Sequence, residues 1–174
     1  MRAILTALAL ASMALPAAAA LPEGSRAPSF VTTGAVGGKA FRLDLQQQLR
    51  NGPVVLYFFP KAFTKGCTLE ARAFSEAVPQ FRAAGARVIG LSADDLPTLK
   101  KFSVEECRSA FPVGRASPEL IREYDVVWKE QKGLTTRTSY VIDRNGRIVM
   151  VHDDLDWSQH VQKTLAAVRA LKGK

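Results

Sequence analysis

Thiols and imidazoles are scarce in this chain. It holds two cysteines, Cys67 and Cys107, and two histidines, His152 and His160, among 174 residues. Neither histidine stands near a cysteine in sequence, so the spacing of a zinc site is missing. A C-x-x-C redox motif is missing too, because Thr64 occupies the position of its first cysteine. Lys and Arg outnumber Asp and Glu, 24 to 16, for a formal net charge of +8. The basic residues nevertheless form no run longer than Lys100-Lys101 and lack interleaved aromatics. That pattern describes a solvated surface and argues against a nucleic-acid partner. There is no internal repeat, and past residue 20 no apolar run approaches the roughly 20 residues needed to cross a bilayer.

The first twenty residues have a different character. Arg2 gives a positive start, Ala3 to Leu15 an apolar stretch, and Ala18-Ala19-Ala20 a small-residue cleavage signature. Residues 1–20 are expected to be a cleaved signal peptide, and 21–174 a single domain exported to the periplasm or secreted. No stable membrane association is expected after cleavage. In an oxidising compartment two cysteines commonly pair, so a permanent Cys67–Cys107 staple is one reading of the thiols.

The most informative stretch runs from Pro53 to Cys67. Val54-Val55-Leu56-Tyr57-Phe58-Phe59 reads as a strand buried on both faces. After a short connection ending in Gly66-Cys67, Phe74, Val78 and Phe81 recur at helical spacing. Cys67 therefore sits where a central strand hands over to a helix. Unpartnered N–H groups and the helix dipole at such a point favour a thiolate nucleophile. The alternative is a small buried hydrophobe, a common fate of free cysteine.

The remaining chain alternates. Residues 29–33 and 40–45 predict a hairpin around Gly34–Gly38; 87–93 a strand; 96–109 a helix; and 110–116 a short strand. Ser117-Pro118 opens a helical turn. Residues 138–143 and 147–152 flank Asn145-Gly146, a hairpin signal, and Trp157, Val161, Leu165 and Val168 share one face of a last helix. This order predicts an α/β domain with a mixed central sheet flanked by helices and an N-terminal β-hairpin.

The run Pro60-x-x-x-Thr64-x-x-Cys67, behind its apolar strand, resembles the active-site signature of peroxiredoxins. Leu91-Ser92-Ala93-Asp94 and Arg137-Thr138-Ser139-Tyr140-Val141-Ile142-Asp143 match in the family's order, and Gly66-Cys67-Thr68-x-Glu70 is most similar to the Q-type, bacterioferritin-comigratory-protein-like branch. The resemblance implies a thioredoxin-like fold and peroxide reduction with no metal or organic cofactor. It makes Cys67 the peroxidatic thiolate, which becomes a sulfenic acid. Thr64 would set its hydroxyl against thiolate and peroxide, and Pro60 would shield the sulfur from water. Arg137 would keep Cys67 ionised and bind the departing oxygen, with Glu70 holding the guanidinium. Many Q-type members carry a resolving cysteine five residues after the first, where this chain has Arg72. Cys107, on the predicted 96–109 helix, is then the candidate resolving thiol. The implied partners are a peroxide and a thioredoxin-like or other thiol reductant, with the protein a monomer or weak homodimer. Two other readings of the chain stay open here: a thioredoxin-like thiol–disulfide exchanger and a disulfide-stapled, non-catalytic module.

Overall fold

Val54–Phe58 (β3) is buried at every residue, as its unbroken apolar run requires of a strand covered on both faces. Its side chains alternate between two cores. Val55 and Tyr57, with Phe59 beyond the strand, join Phe74, Phe81, Phe102 and Leu165. Val54, Leu56 and Phe58 join Leu43, Leu45, Ile89, Tyr124 and Ile148. Fully burying one large apolar side chain contributes about 1.5–3 kcal/mol. β3 is thus firmly fixed from both sides, and so is the start of the loop that follows it.

The structure is a computed structural model and describes residues 20–171. Residues 1–19 of the expected signal peptide lie outside the described residues. Ala20, its last residue, is buried against the second core, and the Leu21 N–H donates to the Tyr140 hydroxyl at 3.2 Å. No helix among the described residues is long and apolar enough to cross a membrane.

In chain order the elements are β1 (Val31–Val36), β2 (Lys39–Asp44), α1 (Leu45–Leu49), β3, α2 (Lys65–Ala83), β4 (Arg87–Ser92) and α3 (Leu96–Glu105). β5 (Val113–Arg115), α4 (Pro118–Glu123), β6 (Thr138–Ile142), β7 (Ile148–Asp153), a 3₁₀ turn at Trp157–Gln159 and α5 (His160–Leu171) complete the fold. The seven strands form one sheet in the order β2-β1-β5-β4-β3-β6-β7. β3, β4 and β5 run parallel, and β6 lies antiparallel to β3. The mixed α/β sheet with an N-terminal hairpin expected from the sequence is therefore present.

Four local expectations change. The hairpin turn contracts to Gly37-Gly38, whose φ values of 55° and 76° suit a two-residue turn closed by Val36 opposite Lys39. Gly34 and Ala35, expected in the turn, pair inside β1. α1 was not anticipated; Asp44 caps it by accepting from the Gln47 N–H at 3.2 Å. The third change concerns β5, which keeps only the centre of the expected 110–116 strand.

The fourth is a correction that touches the site. The helix predicted over 96–109 ends at Glu105, so Cys107 is not on a helix. The chain instead turns through Arg108 and Ser109, both left-handed (φ 49° and 57°). The N–H groups of Glu106 and Cys107 both donate to the Phe102 carbonyl, and the Ser109 N–H to that of Ser103, closing the helix end.

α2 carries the predicted apolar face, burying Ala71, Phe74, Ala77, Val78 and Phe81. It also tolerates Pro79 in its interior, which offers no N–H to the carbonyl four residues earlier, that of Ser75.

Candidate active site

Cys67 is the third residue of α2, and its side chain is buried. The first bond of the helix ladder runs from the Thr68 N–H to the Thr64 carbonyl at 2.9 Å. The N–H groups of Lys65, Gly66 and Cys67 lie ahead of it, at the positive end of the helix dipole. The expected strand–loop–helix setting of the thiol is therefore present.

Arg137 reaches this point because of strand register. It immediately precedes β6, whose first residue, Thr138, pairs with Phe58 at the end of β3. The guanidinium, only 5% exposed, is held on all three nitrogens. Nε donates to the Leu155 carbonyl at 2.8 Å, Nη1 to Glu70 Oε2, and Nη2 to Cys67 Sγ at 3.5 Å. Glu70, one turn after Cys67 on the same helix, fixes the fork while one tine remains on the sulfur. A Cβ at Gly66 would stand 3.0 Å from Arg137 Nη2, so the residue before the thiol must be small for this approach.

The electrostatics are set by burial. Glu70 has no exposed surface, and desolvation pushes its carboxyl up to about 8 against the downward pull of Arg137. Salt-bridge geometry and a raised carboxyl are compatible here. A proton on Oε1 leaves Oε2 free to accept from Arg137. Arg137 itself is held above its ordinary value by Glu70 and Cys67, although its burial pulls the other way.

The remaining expected residues lie around this core. Thr64 is the residue at the N-terminal cap of α2, but its hydroxyl donates to the Lys61 carbonyl at 2.9 Å instead of capping the helix. Thr64 is exposed. Pro60 is buried directly after Phe59, where the strand run ends. The 60–64 loop is pinned by Asp94, whose Oδ2 accepts from the Ala62 N–H and the Ser92 hydroxyl, each at 2.8 Å. Phe63 in that loop has a left-handed φ of 63° and packs edge-on against Phe102.

Cys107 is buried in the same core as Cys67, and both thiols are free. Its carbonyl accepts from Ser75 Oγ at 2.8 Å. Ion pairs flank it: Arg72 to Glu106 at 2.7 Å, and Arg108 to Glu76 at 3.1 Å. Burial, reinforced by the Glu106 charge, holds the Cys107 thiol well above the usual range. Ser75 lies eight residues beyond Cys67, or roughly 12 Å along the helix axis. The structure thus brings Cys67, Arg137 and Glu70 into direct contact and ties Cys107 two turns away.

Several residues of the site escaped sequence reasoning. His160, the first residue of α5, is fully buried, with Nδ1 2.8 Å from Ser139 Oγ and 3.7 Å from Glu70 Oε1. Asp94 and Ser139 stood inside stretches already singled out, but nothing local marked their bonding. Two surface concavities, one beside Val78, Phe81 and Phe111 and the other beside Phe41, Arg42 and Arg115, include none of the site residues. Among the described residues there is no cluster of three or more metal-ligating side chains.

The pattern of the AhpC/TSA family matches residues 24–151, which hold all the elements just described except the end of β7, the 3₁₀ turn and α5. The chain belongs to this family, the peroxiredoxins. It is 31% identical to peroxiredoxin Q, chloroplastic, of Oryza sativa subsp. japonica over 95% of this chain and 81% of the relative. It is likewise 31% identical to peroxiredoxin Bcp of Escherichia coli over 80% of this chain and 90% of the relative. The structure of peroxidoxin BcpB from Mycobacterium tuberculosis superposes with a TM-score of 0.77 at 29% identity, covering 86% of this chain and 97% of that one. Xanthomonas campestris peroxiredoxin Q gives 0.69 at 27% identity, over 80% and 90%. The architecture is accordingly thioredoxin-like, and the protein is a thiol peroxidase of the Q/Bcp type.

Proposed function

We propose that this peroxiredoxin reduces hydrogen peroxide and organic hydroperoxides at Cys67, with Arg137 as the electrostatic partner of the reacting atoms. The thiolate sulfur attacks one peroxide oxygen. The O–O bond breaks, its electron pair leaves with the other oxygen, and that oxygen takes a proton from water. Cys67 is left as a sulfenic acid. The observation that carries this reading is the Arg137 Nη2–Sγ contact of 3.5 Å, with the rest of the guanidinium fixed by Glu70 and Leu155. A cation so held stabilises both the thiolate and the charge that grows on the departing oxygen. Pro60 and the apolar wall keep water from the sulfur, and the Thr64 hydroxyl orients the peroxide.

The second half-reaction falls to Cys107. Its thiol attacks the sulfenic sulfur, a disulfide forms, and water leaves. A disulfide needs Cα atoms within about 7 Å, whereas Ser75 anchors Cys107 about two helical turns from Cys67. The front of α2 or the Cys107 turn therefore unwinds between the two steps. A thioredoxin-like or other external thiol then restores both cysteines. Residues 21–174 act as one domain after removal of the leader, outside the cytoplasm, as a monomer or weak homodimer.

The test is intact mass. Reduced protein treated with one equivalent of peroxide should lose two hydrogens and retain no free thiol. A product one oxygen heavier, with Cys107 still alkylatable, would mean that an external thiol resolves the sulfenic acid. No reaction at Cys67 would end the proposal.

A further inference from the structure

Arg72, Ser75 and Glu76 stand three and four residues apart on α2, so they project from one side of the helix. Opposite them runs the turn that carries Cys107. Arg72 Nε donates to Glu106 Oε2 at 2.7 Å, Ser75 Oγ to the Cys107 carbonyl at 2.8 Å, and Arg108 Nη1 to Glu76 Oε1 at 3.1 Å. Residues 72, 75 and 76 thus meet 106, 107 and 108 in the same order. The charges are crossed, plus and minus on the helix against minus and plus on the turn. A shift that set Arg108 against Arg72, or Glu106 against Glu76, would face like charges. The turn also closes on itself: the Glu106 and Cys107 N–H groups donate to the Phe102 carbonyl, and the Ala110 N–H to that of Cys107.

The front of α2 is held differently, through Arg137, which donates to Glu70 and to Cys67 Sγ at 3.5 Å. Oxidation to a sulfenic acid removes the thiolate charge that strengthens the second of these bonds, so this end loosens at the step where a disulfide has to form. No charge between α2 and the Cys107 turn changes at that step. The single hydrogen of the Ser75 hydroxyl also has the Ala71 carbonyl within reach, at 2.9 Å, and opening of the helix past Ala71 leaves it to Cys107 alone. Chain length allows the movement. Cys67 lies five residues ahead of Arg72, and extended chain covers at most about 3.3–3.6 Å per residue, or roughly 17 Å in all. That exceeds the roughly 12 Å of helix between Cys67 and Ser75. Both thiols border one apolar core, so Cys67 can fold back to Cys107 without the turn leaving its seat.

We propose that the Arg72–Glu106, Ser75–Cys107 and Glu76–Arg108 contacts form an anchor that holds Cys107 in place while the front of α2 unwinds as far as Arg72 and brings Cys67 to it. Arg72 and Glu76 are then positioning residues of the second half-reaction. In that step the Cys107 sulfur attacks the sulfenic sulfur, the S–S bond forms and the S–O bond breaks. The departing hydroxide takes the thiol proton and leaves as water. The inference rests on Cys107 being the resolving thiol.

The test mixes reduced protein with one equivalent of hydrogen peroxide and follows sulfenic acid and disulfide separately by rapid alkylation and mass. Glu76→Arg sets two cations against each other across the anchor. It should slow the disulfide step about two- to fivefold, the weight of one exposed ion pair, and leave oxidation of Cys67 unchanged. The added positive charge would by itself favour the Cys107 thiolate and speed the step, so slowing reports the lost pair. Glu76→Arg combined with Arg108→Glu re-forms the pair in reverse and should restore the rate. Hydrogen exchange on the wild-type disulfide form gives the location. Amides of residues 68–75, whose helical acceptors are the carbonyls of 64–71, should lose protection, while those of 76–78, Glu106, Cys107, Ser109 and Ala110 keep it. A disulfide step that is faster or unchanged in Glu76→Arg, or slow and not restored in the double variant, overturns the anchor. Lost protection in the Cys107 turn overturns it too, since the turn would then be the part that moves. A wild-type product that stays one oxygen heavier with Cys107 alkylatable refutes instead the reading of Cys107 as the resolving thiol, and the free thiol tells that outcome apart.

Discussion

Replacing Arg137 by alanine should slow peroxide reduction by between about ten and about 150 times, and the size follows from the bonds removed. The guanidinium makes three: to the Leu155 carbonyl, to Glu70 and to Cys67 Sγ. Only the last touches a reacting atom. A hydrogen bond to a charged group is worth about 1.5–3 kcal/mol, and each 1.36 kcal/mol of barrier is tenfold in rate. The decisive assay is the bimolecular rate constant with hydrogen peroxide on pre-reduced Cys107→Ser protein, taken up in pH until alkylation of Cys67 reaches its plateau. Full ionisation should not restore the rate, because the charge developing on the departing oxygen still lacks a donor. Arg137→Lys should fall between, keeping the charge but losing the fork that meets Glu70 and the sulfur together. Folding should survive in the alanine variant, since Glu70 can take up a proton and stand neutral. Complete rescue at high pH would refute the transition-state role and leave Arg137 acting through thiolate formation alone.

Three further outcomes are expected. Thr64→Ser should retain most of the peroxidase rate and Thr64→Val should lose most of it; equal rates would mean that the hydroxyl serves only its bond to the Lys61 carbonyl. Cys107→Ser should accumulate a trappable Cys67 sulfenic acid and pass on to sulfinic acid at lower peroxide doses than wild type, read by mass; unchanged over-oxidation would exclude resolution by Cys107. Thermal stability should change little between about pH 4.5 and 6.5 and then decline to about pH 8. Folded Glu70 keeps a proton that the unfolded chain releases, so its contribution is lost as pH rises through about 8. Folded His160 binds its proton less readily than the unfolded chain, so its contribution disappears as pH falls through about 4 and opposes Glu70 only in the lower window. Glu70→Gln should flatten the decline between about pH 6.5 and 8 in a melting series, and an unaltered slope would contradict the assignment.

What the sequence revealed was mostly local. The continuous run of Val54–Phe59 announced a strand buried on both faces, and Gly66-Cys67 ahead of the Phe74, Val78, Phe81 face placed the thiol at a helix start. The Arg137–Glu70 partnership spans 67 residues and had no local signature; only the family pattern suggested it. His160 and Ser139 were silent for the same reason, since a buried histidine at the start of an amphipathic helix reads as packing until its neighbours are known. The end of α3 was missed on physical grounds. Its stop uses Arg108 and Ser109 in left-handed geometry, where glycine or asparagine is the usual marker, so nothing in the sequence said that Cys107 had left the helix.

Pro79 gives α2 a property that a plain helix of nineteen residues would lack. Helix melting is cooperative because each turn's hydrogen bonds support the next. The missing N–H of Pro79 cuts that chain of support at the carbonyl of Ser75, the residue that also grips Cys107. Fraying that starts at Cys67, as the proposed disulfide would require, can therefore stop at a fixed boundary, while Phe81 and its neighbours stay seated. The opening has a set length and so a set free-energy cost. If Cys107 resolves the Cys67 sulfenic acid as proposed, a second peroxide molecule competes only while that opening is awaited, and this one break in the ladder would set the dose at which resolution loses to irreversible oxidation. On that proposal the helix itself would be the timer of the enzyme's peroxide tolerance.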